Sequence, residues 1–113
     1  MLKKTVVFGV IFLAAVLNAK AQKIYKVKYQ SQADLKVFVV KYESQADLKV
    51  FMVKYASQAN KDGYWFSVDF ESQADKKVFF VDYESQADLK IYFVDHESQA
   101  GWRDKSKQHL LKF

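Results

Sequence analysis

The sequence contains no cysteine and only two histidines among its 113 residues. Without cysteine the chain forms no disulfide, carries no lipid on a cysteine and offers no thiolate to a metal. Two histidines leave few candidates for general acid–base catalysis. Small domains often need disulfides because their cores are small, so we expect this fold to be stabilised by packing alone.

Long apolar runs are absent except near the start of the chain. Met1–Lys4 is a short basic segment, Thr5–Leu17 is apolar, and Ala19 and Ala21 form a cleavage signal of the A-x-A type. The apolar run has about 13 residues, fewer than the ~20 that span a bilayer. The pattern therefore predicts a signal peptide over residues 1–21, with an uncleaved membrane anchor as the alternative.

Cleavage before Gln22 would leave one domain, residues 22–113, with little net charge. The full chain has 18 Lys and Arg against 13 Asp and Glu. Removing Lys3, Lys4 and Lys20 leaves 15 basic and 13 acidic residues, a surplus of +2. We expect no nucleic-acid binding, which depends on a strongly basic surface. The sequence predicts an exported domain, periplasmic or secreted, without a membrane span.

A short repeat occupies the whole of this domain. The tripeptide Ser-Gln-Ala occurs six times, at intervals of 13, 13, 15, 13 and 13 residues. Each copy follows about eight residues rich in Val, Phe and Tyr, which is typical of a β-strand. Regular repeats of this kind form stacked supersecondary units. The sequence predicts an all-β fold of seven strand-plus-turn units, with the tail from Trp102 to Phe113 as the seventh.

The turn of each unit reads Glu-Ser-Gln-Ala-Asp in its commonest form. Serine followed three residues later by aspartate resembles a capping box, in which both side chains bond backbone N–H groups of a tight helical turn. We therefore predict that these side chains hold the chain reversal. They are Ser31, Asp34, Ser44, Asp47, Ser57, Ser72, Asp75, Ser85, Asp88 and Ser98. A cation site is the alternative use of the aspartates, but calcium-loop spacing is absent, so no metal or other cofactor is predicted.

Alternate strand residues face opposite sides of a sheet, and one side is nearly constant from unit to unit. Its three rows are aromatic, valine and aromatic, as in Phe38, Val40 and Tyr42. The pattern predicts that this constant face forms the core. The other face varies more but is partly apolar, so we expect most strands to be covered on both sides.

One position on the variable face changes its charge halfway along the chain. It is lysine in the first three units and aspartate in the next three: Lys28, Lys41, Lys54, Asp69, Asp82 and Asp95. Like charges on adjacent strands are destabilising, so consecutive units should not be neighbours. If the chain circles a ring twice, the strand order is 4-1-5-2-6-3-7 and lysine alternates with aspartate. The result would be an ion-pair ladder that sets register more than stability.

These units resemble a bacterial family, the 7(1) septoil knot domain, which began as a domain of unknown function. The repeated Val-Lys-Tyr-Glu-Ser-Gln-Ala-Asp motif and the ending from Ser98 to Lys107 carry the resemblance, which covers residues 23–113. It implies a compact ring that the chain winds through twice, giving a seven-crossing torus knot, and it brings no catalytic residues. Knots are rare, and the repeat without the resemblance would indicate a small closed β-barrel or toroid.

Three aromatic residues are candidates for a ligand-binding face. Tyr64 and Trp65 lie in the one unit that has an insertion, and Trp102 begins the tail. If exposed together they would suit a glycan or a peptide. The alternative is that Trp65 fills core volume beside the small Ser67. His96 stands where other units have Tyr or Phe, which indicates a structural substitution.

The sequence therefore predicts a monomeric structural or binding module with an unknown ligand and no catalytic activity. The alternative is an enzyme or lectin-like protein acting on extracellular glycans or peptides, which as an enzyme would need His96 or His109 near a carboxylate in an asymmetric pocket. The seventh unit is expected to lie between units three and four. Its apolar residues should plug the ring: Leu110, Leu111 and Phe113.

Overall fold

The computed structural model of the protein describes residues 22–111, so the predicted signal peptide, Lys112 and Phe113 lie outside it. Seven short strands alternate with seven 3-10 helices. The strands are β1 (Lys23–Lys26), β2 (Leu35–Val39), β3 (Leu48–Met52), β4 (Tyr64–Ser67), β5 (Lys76–Phe80), β6 (Leu89–Phe93) and β7 (Gly101–Trp102). The helices are η1 (Gln30–Gln32), η2 (Glu43–Gln45), η3 (Ala56–Gln58), η4 (Glu71–Gln73), η5 (Glu84–Gln86), η6 (Glu97–Gln99) and η7 (Lys105–Leu111). The predicted strand-plus-turn repeat is confirmed.

Six of the strands close into a parallel ring. Neighbours follow the order β4-β1-β5-β2-β6-β3, and β3 pairs with β4 to close it. Outside the ring, β7 adds an antiparallel pair to β3. The predicted order 4-1-5-2-6-3-7 is confirmed. The expected insertion of unit seven between units three and four is wrong, since β3 and β4 bond directly and β7 has only two residues.

The length of the connections explains why the order skips units. Parallel neighbours need a crossover of about a dozen residues or more. Only eight residues, 27–34, connect β1 to β2. Three further connections have the same length: 40–47, 68–75 and 81–88. The connection from β3 to β4, residues 53–63, has eleven because of the insertion, and among the described strands of the ring these two are the consecutive pair that bonds directly.

The inside of the ring is the core, and it is the face that varies in sequence. Its central row is at most 5% exposed: Ile24, Val37, Val50, Trp65, Val78 and Ile91. The prediction that the constant face forms the core is wrong for its last aromatic row, which is 65–68% exposed: Tyr29, Tyr42, Tyr55, Phe70 and Tyr83. Eight strands make a barrel just wide enough for side chains to fill. A six-stranded ring is narrower still, so one mainly aliphatic row fills it and the repeated aromatics stay outside.

The outer surface of the ring is covered in part by the turns. The middle row of the constant face is buried there, at 5–9% exposure: Val27, Val40, Val53, Val68 and Val81. These valines directly follow the strand ends, so the ring has a buried apolar row on its outer surface as well as in its core. Apolar area is removed from water on two faces of a thin ring, which helps to stabilise a domain without disulfides.

The tail covers the end of the ring at which the strands begin. Leu111 is fully buried in the core, and Leu110 and Trp102 pack against it. The backbone N–H groups of Arg103 and Asp104 donate to the carbonyl oxygen of Asp47, at 2.8 and 3.0 Å. The prediction that the tail plugs the ring is confirmed for Leu111, whereas Phe113 lies outside the described residues.

Candidate functional site

Four turn aspartates hold the neighbouring strand rather than their own turn. The backbone N–H of Asp88 donates to the carbonyl oxygen of Lys36 at 2.8 Å, and the N–H of Lys36 donates to the Asp88 carboxylate at 2.9 Å. We call this reciprocal pair of bonds the aspartate clasp. The same clasp joins Asp34 to Lys77, Asp47 to Lys90 and Asp75 to Lys23. Each carboxylate therefore satisfies a backbone donor where a parallel strand begins.

The predicted capping box is wrong in its partners. In the second turn, the N–H of Gln45 donates to the carbonyl oxygen of Tyr42, and that of Ala46 donates to Glu43, so the turn closes by backbone bonds alone. The six turn serines are exposed, and within residues 22–111 none of their hydroxyls makes a hydrogen bond: Ser31, Ser44, Ser57, Ser72, Ser85 and Ser98. The turn closes through i→i+3 backbone bonds, and the aspartate carboxylate that follows it bonds to the adjacent strand instead.

The alternating charges are ordered as predicted but do not form a ladder of salt bridges. Around the ring their strands give the sequence Asp69, Lys28, Asp82, Lys41, Asp95 and Lys54. All six side chains are exposed, and none is in a salt bridge with another residue of the described chain. The ion-pair ladder is thus wrong, because these residues lie beyond the ends of the strands.

Strand lysines form the salt bridges of the turns instead. They pair with the glutamate that begins the preceding turn helix, across 3.4–3.6 Å: Lys49 with Glu43, Lys77 with Glu71 and Lys90 with Glu84. The partners are partly exposed, so each pair contributes little to stability.

The three aromatic candidates for ligand binding do not share a face. Trp65 is 1% exposed and fills the core beside Ser67, which is the alternative considered from the sequence. Tyr64 alternates with Trp65 along the strand and lies on the outside, with its ring beneath the Lys61 ammonium at 4.8 Å. Trp102 is half-buried, and its Nε1 donates to the Asp62 carboxylate at 2.7 Å. The three residues therefore form no common aromatic cleft.

A buried polar junction joins the first strand, the insertion and the tail. Gln22 is fully buried, its side-chain nitrogen donates to the Asp62 carboxylate, and its side-chain oxygen accepts from the N–H of Gly63 at 3.2 Å. Asp62 also accepts from Trp102. Sequence reasoning missed this junction. The available signal was that Gln22 occupies the repeat position held by Leu35 in the second unit.

The end of the ring opposite the tail presents apolar side chains to solvent. Parallel strands end together there, and the inward-facing position two residues past the central row forms what we call the C-terminal mouth: Lys26, Val39, Met52, Ser67, Phe80 and Phe93. Three of these residues, Val39, Met52 and Phe93, are 40–41% exposed. The Lys26 ammonium lies 5.4 Å from the centre of the Phe80 ring. The alternating charges follow two residues later in each unit and so surround the mouth.

The two histidines do not line either of two clefts in the described part of the chain. His96 is exposed at the start of a turn helix, and His109 is exposed in the tail. A cleft of about 390 Å³ beside β4 includes Ser72 and Asp75 in its lining, and one of about 180 Å³ beside β6 includes Asp95. Neither contains a histidine. Within residues 22–111, no group of three or more His, Asp or Glu side chains is placed to hold a metal ion.

One carboxyl at the start of the tail helix has a shifted pKa. The hydroxyl of Ser106 donates to the Asp104 carboxylate at 2.6 Å and its backbone N–H donates at 3.1 Å. These two bonds hold the pKa of Asp104 below its ordinary value because they favour the charged form. The exposed position indicates a cap on the tail helix rather than a reactive group.

Comparison with known proteins gives one family. Its sequence model, described as the 7(1) septoil knot domain, matches residues 21–103. No curated protein matches the chain. In the described part of the chain, no helix is both long enough and apolar enough to cross a membrane.

Proposed function

The chain belongs to the 7(1) septoil knot domain family, and we propose that this member is an exported, non-catalytic structural or binding module. One observation carries the proposal: the two buried polar residues of the described chain, Asp47 and Gln22, use their side chains to join distant parts of the chain. Asp47 clasps β6, and Gln22 is bonded to the insertion. Catalysis needs titratable groups that converge on a pocket, whereas His96 and His109 are exposed and line neither of the two clefts described above.

Export rests on the basic, apolar and small-residue pattern of residues 1–21. To test it, the full chain is expressed in a bacterium with two membranes, and the periplasm, medium and cytoplasm are separated. We expect a product outside the cytoplasm whose mass corresponds to a chain starting at Gln22. The matched control replaces Ala19 and Ala21 by lysine and should block cleavage. An unprocessed cytoplasmic product from the natural sequence would overturn the proposal.

We also propose that the ring is knotted. Support comes from the strand order, because a chain whose neighbours are three and four units apart must pass around the ring twice. Pulling on both ends tests this directly, with a cysteine added beyond each end as the attachment point in a chain that has none of its own. A knot tightens under force, so the stretched length should fall short of ~3.5 Å per residue by several residues' worth. Extension to the full length would refute the knot.

A second candidate function is glycan binding by the exposed aromatic row of the turns. Each of the first five units presents one such side chain at 65–68% exposure: Tyr29, Tyr42, Tyr55, Phe70 and Tyr83. Large aromatic side chains are costly to leave in water and commonly mark a binding surface. A glycan array should give binding that is lost when all five are replaced by serine. A protein that binds no glycan, or binds equally well after the replacement, would eliminate this function.

A further inference from the structure

We propose that the C-terminal mouth is a self-association surface at which two copies of this chain pair face to face. The proposal goes beyond the proposed function and does not depend on export or on a knot. It rests on an apolar centre left exposed by the fold and on a ring of charges that is complementary to itself.

The apolar centre is the unfinished end of the core. Val37, Val50 and Ile91 are fully buried, yet Val39, Met52 and Phe93 continue the same inward face at 40–41% exposure. At the other end of the ring, the tail covers this face with Leu111. A second mouth would cover the exposed end in the same way and remove its apolar area from water.

The charges specify how two mouths can meet. Two copies that face each other are related by a two-fold axis in the plane of the mouth, which reverses the order of the ring. With the axis between neighbouring strands, every lysine of one copy faces an aspartate of the other. With the axis through a strand, lysine faces lysine and aspartate faces aspartate. The alternation therefore favours one register, and it is available because these six side chains form no salt bridge in their own described chain.

The same pattern argues for a second copy over other occupants. An anionic lipid surface is bound by a face of strong positive charge, whereas the charged ring has three lysines and three aspartates, and Lys26 within the mouth leaves a surplus of only one positive charge. An apolar peptide would cover the apolar centre but would make no use of the alternating lysine and aspartate side chains around it. The mouth and its charges supply about a dozen residues, below the ~20–30 a side of a standard interface. We therefore expect a weak dimer, with a Kd of about 1–100 µM.

Sedimentation velocity on the protein purified from expression of the full chain tests the pairing. The protein is measured from about 0.1 µM to about 1 mM, which extends below and above the expected Kd range. We expect a monomer at the lowest concentration and a dimer at the highest, with the Kd rising at least about tenfold between ~50 mM and ~500 mM salt. A protein that stays monomeric throughout, as the sequence predicts, would overturn the proposal.

Two charge variants make the test specific. The first replaces Lys28, Lys41 and Lys54 by aspartate, and the second replaces the three ring aspartates by lysine. All six positions are exposed, and thermal unfolding checks that each variant folds. Each variant alone should be monomeric, and an equal mixture should form heterodimers more tightly than the natural protein. The change Lys105→Asp, at the tail end of the ring, is the matched control and should leave the Kd unchanged.

The mixture decides the outcome. Variants that dimerise alone as well as the natural protein would place any dimer at another surface, and a mixture that stays monomeric would exclude pairing through these charges. If a charge variant does not fold, Phe93→Ser replaces it and is expected to abolish the dimer. A dimer that survives this change would refute the apolar centre.

Discussion

Replacing Asp88 by alanine removes one carboxylate of the aspartate clasp and little else. The side chain accepts the backbone N–H of Lys36 at 2.9 Å, across a partly buried contact between units four turns apart. The alanine variant keeps the Asp88 backbone bond to Lys36, because that bond uses the main-chain N–H. The change therefore isolates one hydrogen bond at the start of a parallel strand pair.

The expected loss of stability follows from the backbone N–H of Lys36, which loses its hydrogen-bond acceptor in this variant. Removing the partner of a buried backbone N–H costs ~1–3 kcal/mol, and partial burial places this one near ~2 kcal/mol. For a domain of this size each kcal/mol corresponds to ~4–8 °C in Tm, so the Asp88→Ala variant should melt about 8–16 °C lower. Asp88→Asn keeps an acceptor oxygen and should lose about half as much.

Urea unfolding measured by tryptophan fluorescence is the assay, since Trp65 is buried and reports loss of the core. Ser85→Ala is the matched control in the same turn, because its exposed hydroxyl makes no hydrogen bond in the described chain. It should change the free energy of unfolding by less than ~0.5 kcal/mol. A capping role for the serine would instead give a loss of about 1 kcal/mol. The clasp is refuted if the serine variant loses as much stability as the Asp88→Ala variant.

Three further predictions concern the core, the insertion and the tail. Trp65→Ala should lose ~3–5 kcal/mol in urea unfolding followed by circular dichroism, because it empties the centre of the ring. Phe70→Ser should be nearly neutral, since Phe70 is 65% exposed. Gly63→Ala should lose more free energy of unfolding than Gly101→Ala in the same assay. Both glycines have a positive φ, +95° and +143°, but only at Gly63 would an added Cβ meet the backbone, 2.9 Å from the carbonyl oxygen of Lys49. Equal losses in the two variants would contradict this account. The pKa of Asp104, followed by NMR titration, should rise in the Ser106→Ala variant. The natural protein should be more stable than the variant at pH values above the pKa that Asp104 has in the unfolded chain. This difference in stability should vanish as the pH falls through the pKa that Asp104 has in the folded protein. An unchanged pKa in the variant would show that Ser106 does not set it.

The order of the strands could be predicted because charge reports on neighbours. The like charges of Lys28 and Lys41 argue against the pairing of consecutive units. In a ring that the chain passes around twice, every unit with a lysine lies between units with an aspartate, so the six units avoid like-charged neighbours. The structure has this strand order but no salt bridge among these residues in its described part. The charges thus indicated neighbours correctly while their predicted contact was wrong.

The assignment of faces could not be obtained by the same reasoning. A residue type that recurs in every unit favours a core position, yet Tyr42 and Tyr55 recur and are exposed. In a ring of six strands, side chains from all units fill the interior together. The large volume of Trp65 can therefore be balanced by smaller side chains from other units, and the sequence varies at these positions. Each outer position instead meets the same local surroundings in every unit, which keeps its residue type constant.

The aspartate clasp and the Gln22 junction were missed for different reasons. Ser44 and Asp47 have the spacing of a local cap, and nothing in a single unit reveals that the partner of Asp47 is Lys90, on another strand. Gln22 lies at the predicted cleavage site, and only its alignment with the leucines of later units indicates that it is buried. Both errors arise where a contact between distant units overrides a local pattern.

The skipped strand order has a consequence for the time at which the protein can begin to fold. As the chain emerges from the ribosome, β1, β2 and β3 have no partners among themselves, because every bond they make is to β4 or a later strand. Nearly half of the domain must therefore be synthesised before the first native strand pair can form, and β2 waits longer, for β5 and β6. Contacts between such distant residues make folding slow. If the chain is exported, as proposed, this delay keeps the leading half unfolded until the later strands have been synthesised.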